Sequence, residues 1–377
     1  MLEIIIIILT FSILIIIHEM GHFLVAKKFG VKVEEFGLGL PPRLWGKKIG
    51  ETLFSLNAIP FGGFVKMYGL EENIKNPQSF TGKPIWQRML IVIAGCVAFW
   101  IVAIVLLSII FGMGAPVAIN DDEKNYNLTN IRVKIMTIAP ESPAEKAGLE
   151  MGDTIRKFSI NQVIANGEKE SKNYLTSNYQ FPINKVREVQ ELTEKYKGKE
   201  IILTIERGRE IFDISLISRV EPPEGEGALG VALTRTAIKK YSWYEAPIRG
   251  VETTIFMTGS IIQGWGQMIG LAIAGEPMPP GAKVMGPIGI FDFMGDRLQS
   301  GIVYYLHFIV IISIFLAIFN LLPIPALDGG KLVFLAIEAV RGKPISQRIE
   351  QNLTAIFFFL LIGLMIFVTI QDIGRIF

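Results

Sequence analysis

Residues 2–26 read LEIIIIILTFSILIIIHEMGHFLVA. As an α-helix this stretch is about 37 Å long, more than the roughly 30 Å hydrocarbon core of a bilayer. A secretory leader would carry a positive n-region and a small-residue cleavage site. Here Glu3 is the only charge ahead of the Ile-rich run, and Lys27 and Lys28 follow it. The stretch is expected to be an uncleaved transmembrane helix with its N-terminus outside. Its last turns hold His18, Glu19 and His22. Ionisable groups inside a membrane helix are costly, so they point to function.

Three further apolar stretches lie outward from it, at 89–113, 302–322 and 353–370. Each approaches the about 20 residues that a spanning helix needs. The whole chain agrees: 377 residues, half of them hydrophobic, 19% charged, with mean hydropathy +0.44. That composition argues against a soluble globular enzyme and excludes a disordered chain. The formal net charge of +2 gives no basic excess for nucleic acid. One cysteine, Cys96, rules out an intrachain disulfide and a Cys-rich zinc site. The expected fold is a polytopic α-helical membrane protein with four spans.

Charge asymmetry orients it. Residues 27–88 carry ten Lys or Arg, and Lys331, Arg341, Lys343 and Arg348 follow span three. Short basic loops stay cytoplasmic. Both termini and the long 114–300 segment are then outside. Residues 115–222 are polar, with strand-like alternation in 131–138, 200–206 and 210–216. Residues 240–274 are amphipathic, with Trp243, Tyr244 and Trp265. They are expected to lie at the membrane interface, because Glu245, Arg249, Glu252 and glycines at 264, 266 and 270 disfavour a fifth span. The domain plan is 1–114 for the first half of a membrane core, 115–222 for an inserted domain, 223–300 for a connector and 301–377 for the second half.

In a helix His18 and His22 stand about 40° apart around the axis, so both rings can reach one metal. Glu19 projects on the same side, as a general base beside the metal's water. Zinc held this way needs a third protein ligand and an open position. His307 fails on depth, since it sits near the outer end of span three. His18 lies roughly 24 Å inward from Leu2 by the helix rise. Asp328 ends NLLPIPALDGG, 320–330, at the matching cytoplasmic end. Pro323 and Pro325 break the helix there, and broken backbone at membrane depth is tolerated where it lines a cavity or is buried in protein. Gly62 and Gly63 punctuate a strand-like segment, 51–70, that reads as a hairpin able to dip beside the site. An exposed edge there would capture an extended peptide by strand addition.

These residues resemble the site-2 protease family of intramembrane zinc metalloproteases (M50 type), in its bacterial RseP branch. The resemblance rests on HEMGH at 18–22, IPFGGFVKM at 59–67, GPIGI at 286–290 and NLLPIPALDGG at 320–330. It implies His18, His22 and Asp328 as zinc ligands and Glu19 as general base. It implies a substrate-placing role for Asn320, with Pro323, Phe61, Gly62 and Gly63 lining the substrate path, and it makes 51–70 a membrane re-entrant β-loop. The insert resembles a protease-associated PDZ domain through SPAEKAGLEMGDTI at 142–155. The best-known members carry two tandem PDZ domains, and 115–222 has room for one. A second departure is AGCVAF at 94–99, where relatives read Ala-Gly-Pro-x-x-Asn. The lone Cys96 is expected to be a buried small hydrophobe there.

The resemblance implies a bacterial inner-membrane endopeptidase that cleaves single-span proteins already trimmed by another protease, such as anti-sigma factors or signal-peptide remnants. The rival readings are a catalytically silent PDZ adaptor, which predicts a disrupted triad, and an ion or metal transporter, which predicts repeated halves with paired broken helices.

Overall fold

The computed structural model describes residues 2–70, 74, 76–123, 128–164, 175–208, 210–223, 225–276 and 286–376. Part of the expected connector, 277–285, lies outside them, as does the side chain of Phe61. The chain opens with α1 (Leu2–Lys28), β1 (Val33–Ile49), β2 (Thr52–Met67) and α2 (Ile85–Met113). An insert follows: β3 (Ala115–Ile119), β4 (Leu128–Ile138), α3 (Pro143–Lys146), β5 (Thr154–Ile164), β6 (Leu175–Pro182), α4 (Val186–Lys195), β7 (Glu200–Arg207), β8 (Glu210–Ile217) and β9 (Val231–Lys239). The chain closes with α5 (Glu245–Ala274), α6 (Pro287–Ser300), α7 (Ile302–Asn320), α8 (Asp328–Arg341) and α9 (Gln347–Ile376). Two units result: Met1–Ile110 with Trp243–Phe377, and Phe111–Ser242.

Among the described residues of the first unit, four helices are long and apolar enough to cross a membrane: Glu3–Lys28, Ile85–Met113, Ile302–Asn320 and Gln347–Gly374. The last is longer than the 353–370 read from hydropathy, because a helix continues through polar residues at both ends. α1 and α2 meet closely through glycine. A Cβ on Gly21 would stand 2.4 Å from the Ala94 carbonyl oxygen. A half-buried Thr10–Tyr305 hydroxyl pair at 2.7 Å ties α1 to α7, beside an apolar cluster of Ile7, Leu14, Phe99, Met294 and Phe308.

The expected surface helix, 240–274, takes a different position. α5 packs lengthwise on the spans: Gly250 faces Ile104 and Ser108, Trp100 donates to Thr258 at 3.2 Å, and Trp265 meets Phe315 edge-on at 5.1 Å. As α5 advances, its α2 partners fall in number, so the two run antiparallel. Small residues at 250, 254 and 258 make the flat face that permits this approach, a feature that a count of charges and aromatics does not register.

The expected hairpin of 51–70 is also larger. β1 and β2 pair from Val33 with Met67 to Leu38 with Gly63, and again from Arg43 with Asn57 to Ile49 with Thr52. A third register sets Glu35–Leu38 beside Leu53–Leu56, numbers running the same way. Residues 33–67 thus form four strand segments side by side: 59–67, 33–40, 52–57 and 43–49. Phe36 and Phe54 pack on Phe23 of α1.

The second unit is one sheet of order β3-β9-β4-β5-β7-β8, with β6 on β5. β9 pairs with both β3 and β4, so the insert ends near 242, beyond the expected 222. Its core is Val133, Ile135, Ile155, Phe158, Leu203 and Ile205, closed by Val189 of α4. Ser142 caps α3 by accepting from the Glu145 amide at 3.1 Å. Gly148 and Gly152 take φ of +79° and +99°, the left-handed backbone that the turn before β5 requires.

Candidate metal centre

α1 carries His18 and His22 one turn apart, and the break after α7 returns the chain so that Asp328 opens α8. That break depends on glycine. A Cβ on Gly329 would stand 2.2 Å from the Leu322 carbonyl oxygen, and one on Gly330 2.3 Å from that of Ile324. Only two bare Cα atoms let the first turn of α8 pack onto 321–325 and bring Asp328 to α1.

Three ligand atoms then converge. His18 Nε2 and His22 Nε2 are 3.3 Å apart. Asp328 Oδ2 is 3.4 Å from the first and 3.2 Å from the second. His22 Nδ1 lies 2.9 Å from the Ile91 carbonyl oxygen. That contact requires Nδ1–H to donate, which leaves the Nε2 lone pair facing the cluster. Three lone-pair donors at such range repel one another unless a cation sits among them. Ligand atoms about 2.0–2.1 Å from a tetrahedral zinc stand about 3.3–3.4 Å from each other. The donor set and spacing therefore fit zinc. Among the described residues these three are the group of His, Cys, Asp and Glu able to hold a metal. His307 is exposed on α7 and outside it.

The room for the two imidazoles comes from Gly95 of the AGCVAF segment. A Cβ there would stand 2.3 Å from His22 Nε2 and 2.7 Å from His18 Cε1. Its neighbours explain the AGCVAF departure. Cys96 is fully buried, and its Sγ is 3.8 Å from Asp328 Oδ2. Phe99 stacks on His18, centroids 4.8 Å apart and planes at 18°. His18 Nδ1 is buried without a hydrogen-bond partner, so stacking orients a ring that a polar partner would otherwise hold. Spacing on α2 was the available signal: 95 and 99 are one turn apart and share a face.

Glu19 faces the sheet. A Cβ on Gly63 would lie 3.2 Å from Glu19 Cγ, and the Val65 amide is near the Glu19 carboxylate. The strand segment 59–67 pairs with 33–40 on one side, and its other edge passes the Glu19 side chain. Gly62, at φ +94°, packs near Leu40. Asn320 is half-buried and its amide donates to the Leu316 carbonyl at 2.9 Å. Pro323 is exposed at the break. The structure thus brings Gly63 to Glu19, and holds Asn320 and Pro323 on the segment leading to Asp328.

Residues 6–364 match the family model described as Peptidase family M50. A protein of Clostridium perfringens named as a zinc metalloprotease is 32% identical across 97% of this chain and 96% of its own length. One of Clostridium acetobutylicum, also named as a zinc metalloprotease, is 33% identical across 98% and 97%. The regulator of sigma E protease of Haemophilus influenzae is 28% identical across 98% of each.

Proposed function

Since the chain belongs to peptidase family M50, a zinc-dependent family, we propose that it is an endopeptidase cutting transmembrane segments of single-span membrane proteins, with His18, His22 and Asp328 as the zinc ligands and Glu19 as the general base. The observation that supports this most is the 3.2–3.4 Å triangle of His18, His22 and Asp328 atoms at the inner end of a helix apolar enough to span. Zinc supplies Lewis acidity at such a site, acidifying water and polarising a carbonyl.

The chain's own residues do the rest. Glu19 neighbours His18 in sequence and lies near the Val65 amide, and its carboxylate can take a proton from water and return it to the leaving amine. His22 is held in one tautomer by Ile91. A peptide bond inside a helix is shielded by its own hydrogen bonds, so a substrate helix must unwind. The segment 59–67 offers the unwound stretch a strand edge beside Glu19, and main-chain pairing there holds it extended. Gly62 and Gly63 carry no side chain to block that approach. Phe61, Asn320 and Pro323 would line the path.

The sheet 33–67 is read as a re-entrant element and the insert as one PDZ domain that screens or positions the outer part of substrates. The cell surroundings in this reading are a bacterial inner membrane, with both termini and the insert outside and the metal site towards the cytoplasm. Substrates are pre-trimmed, such as anti-sigma factors or signal-peptide remnants. The silent-adaptor reading fares worse because the ligand triangle and Glu19 are intact.

The test is Glu19→Gln, which keeps shape and ligands but removes the proton acceptor. Zinc content should match wild type, while cleavage of a model single-span substrate should fall at least about a hundredfold, the scale of general-base catalysis. Near wild-type cleavage by a protease-free preparation would remove Glu19 from the mechanism.

A further inference from the structure

The sheet of 33–67 has two edges, and the proteolytic reading uses one. The other edge is the segment 43–49, paired on its inner side with 52–57. Every residue from Leu40 to Gly50 is exposed.

The contacts with α1 give this sheet a direction. Val65 and Gly63 meet Glu19, and Gly63 also meets Ile15, while Phe36 and Phe54 meet Phe23 nearer the end of the span. Falling numbers along 59–67 therefore climb α1 into the membrane. The climbing end carries Leu40, Leu44, Trp45, Leu56 and Ile59, exposed by 44%, 69%, 58%, 48% and 45%, and one cation, Arg43, whose guanidinium lies 3.9 Å from the Glu35 carboxylate. The opposite end carries Lys47 and Lys48. Among the described residues neither has a carboxylate oxygen within the 4.0 Å of an ion pair. Strand alternation puts Trp45 and Lys47 on one face and Leu44 and Lys48 on the other. Each face thus has an apolar residue above a cation, about 7 and about 13 Å lower at 3.3 Å per residue. That is the depth over which acyl chains give way to headgroups, where an indole also belongs.

We propose that segment 43–49 docks on the anionic headgroups of phospholipids in the leaflet beside the metal cluster. Leu44 and Trp45 enter the acyl boundary and Lys47 and Lys48 meet lipid phosphates. This rests on the membrane and protease reading above and adds a regulator to it. The docked edge lies three strands from Glu19, so the lipid that seats it also steadies the edge that receives substrate. An anionic surface attracts a nearby lysine about fivefold per residue.

The experiment places the full chain in vesicles of phosphatidylcholine alone or with about a third phosphatidylglycerol, a strongly anionic surface. Hydrogen exchange at 43–49 and cleavage of a single-span substrate are read in both. Anionic lipid should slow exchange at 43–49 at least about fivefold and raise cleavage. Lys47→Gln with Lys48→Gln should lose both responses while keeping zinc and the cleavage seen in neutral lipid. Lys47→Arg with Lys48→Arg should keep both, which separates charge from folding. Inorganic phosphate added to neutral vesicles should not substitute for the lipid. Equal exchange in the two lipids overturns the proposal, as does a Gln variant that still responds. So does protection that grows with protein concentration in neutral lipid, because a second copy would then be the occupant. Loss of all wild-type cleavage would sink the protease reading alone, since the exchange arm decides the docking by itself.

Discussion

The two units of this molecule treat buried charge in opposite ways. In the inserted sheet, Asp153 is almost fully buried and answered in full. Arg207 reaches its two oxygens from Nε and Nη2 at 2.7 and 2.8 Å, and the Glu150 amide adds a third bond at 2.8 Å. Glu206 likewise sits between Arg132 and Arg156. In the membrane unit, His18, His22 and Asp328 turn three acceptors on one another. A balanced cluster holds a fold together. An unbalanced one, kept at a cost inside the protein, is a place prepared for a cation.

The sharpest way to break the comparison is to ask which substitutions empty the metal site. His22→Ala and Asp328→Ala should each lower bound zinc at least about tenfold, with His307→Ala unchanged. Gly95→Ala should do the same without touching a ligand. His22 is pinned at Nδ1 by Ile91, so its ring cannot swing away from a Cβ at 2.3 Å. Gly112→Ala, on the same helix with nothing within 4 Å of its Cβ, is the control. Metal analysis of purified protein reads all five. Full zinc in Gly95→Ala would mean that the histidines are held elsewhere.

The balanced cluster should answer differently. Asp153→Ala leaves the Glu150 amide without its acceptor and the Arg207 guanidinium with only the Glu150 carboxylate and the Gly148 carbonyl, a loss of about 2 kcal/mol for a partly exposed partner. Hydrogen exchange in β5 and β7 should quicken about thirtyfold, with zinc content unchanged. Unchanged exchange would show the pair to be ornamental.

What could be read in advance follows the same division. Spans were legible because hydrocarbon imposes length and apolarity on each segment separately, and the HEMGH and LDGG motifs because metal ligands need fixed residue types. The approach of Asp328 to the two histidines was legible through depth, a one-dimensional quantity. The position of α5, the four-segment sheet and the inclusion of β9 were not, because each depends on partners far away in sequence: Gly250 with Ile104, Glu35 with Leu53, Ala115 with Lys239. The roles of Gly95 and Phe99 escaped for a related reason. A glycine that makes room and a phenylalanine that stacks have no chemistry of their own to mark them; their role exists once α1 and α2 are side by side.

The smallest effect sharpens the comparison through pH. Burial alone would raise the Glu206 carboxyl, but hydrogen bonds and charge from Arg156 and Arg132 outweigh it and hold the group below its ordinary value. A carboxyl depressed in the folded state binds its proton less readily there than in the unfolded chain, so the unfolded state carries more protons and stability rises with pH across the gap. The contribution is complete above the unfolded value, about 4.3 for Glu, and fades as pH falls through the folded one. Exchange protection of β5 and β7, corrected for intrinsic rates, should therefore be flat near neutrality and decline on acidification below about pH 4. Glu206→Gln removes the titrating group, so its protection should start lower and lose part of that acid slope. If the variant and wild type decline in parallel, Glu206 is not what acid reaches first in this unit.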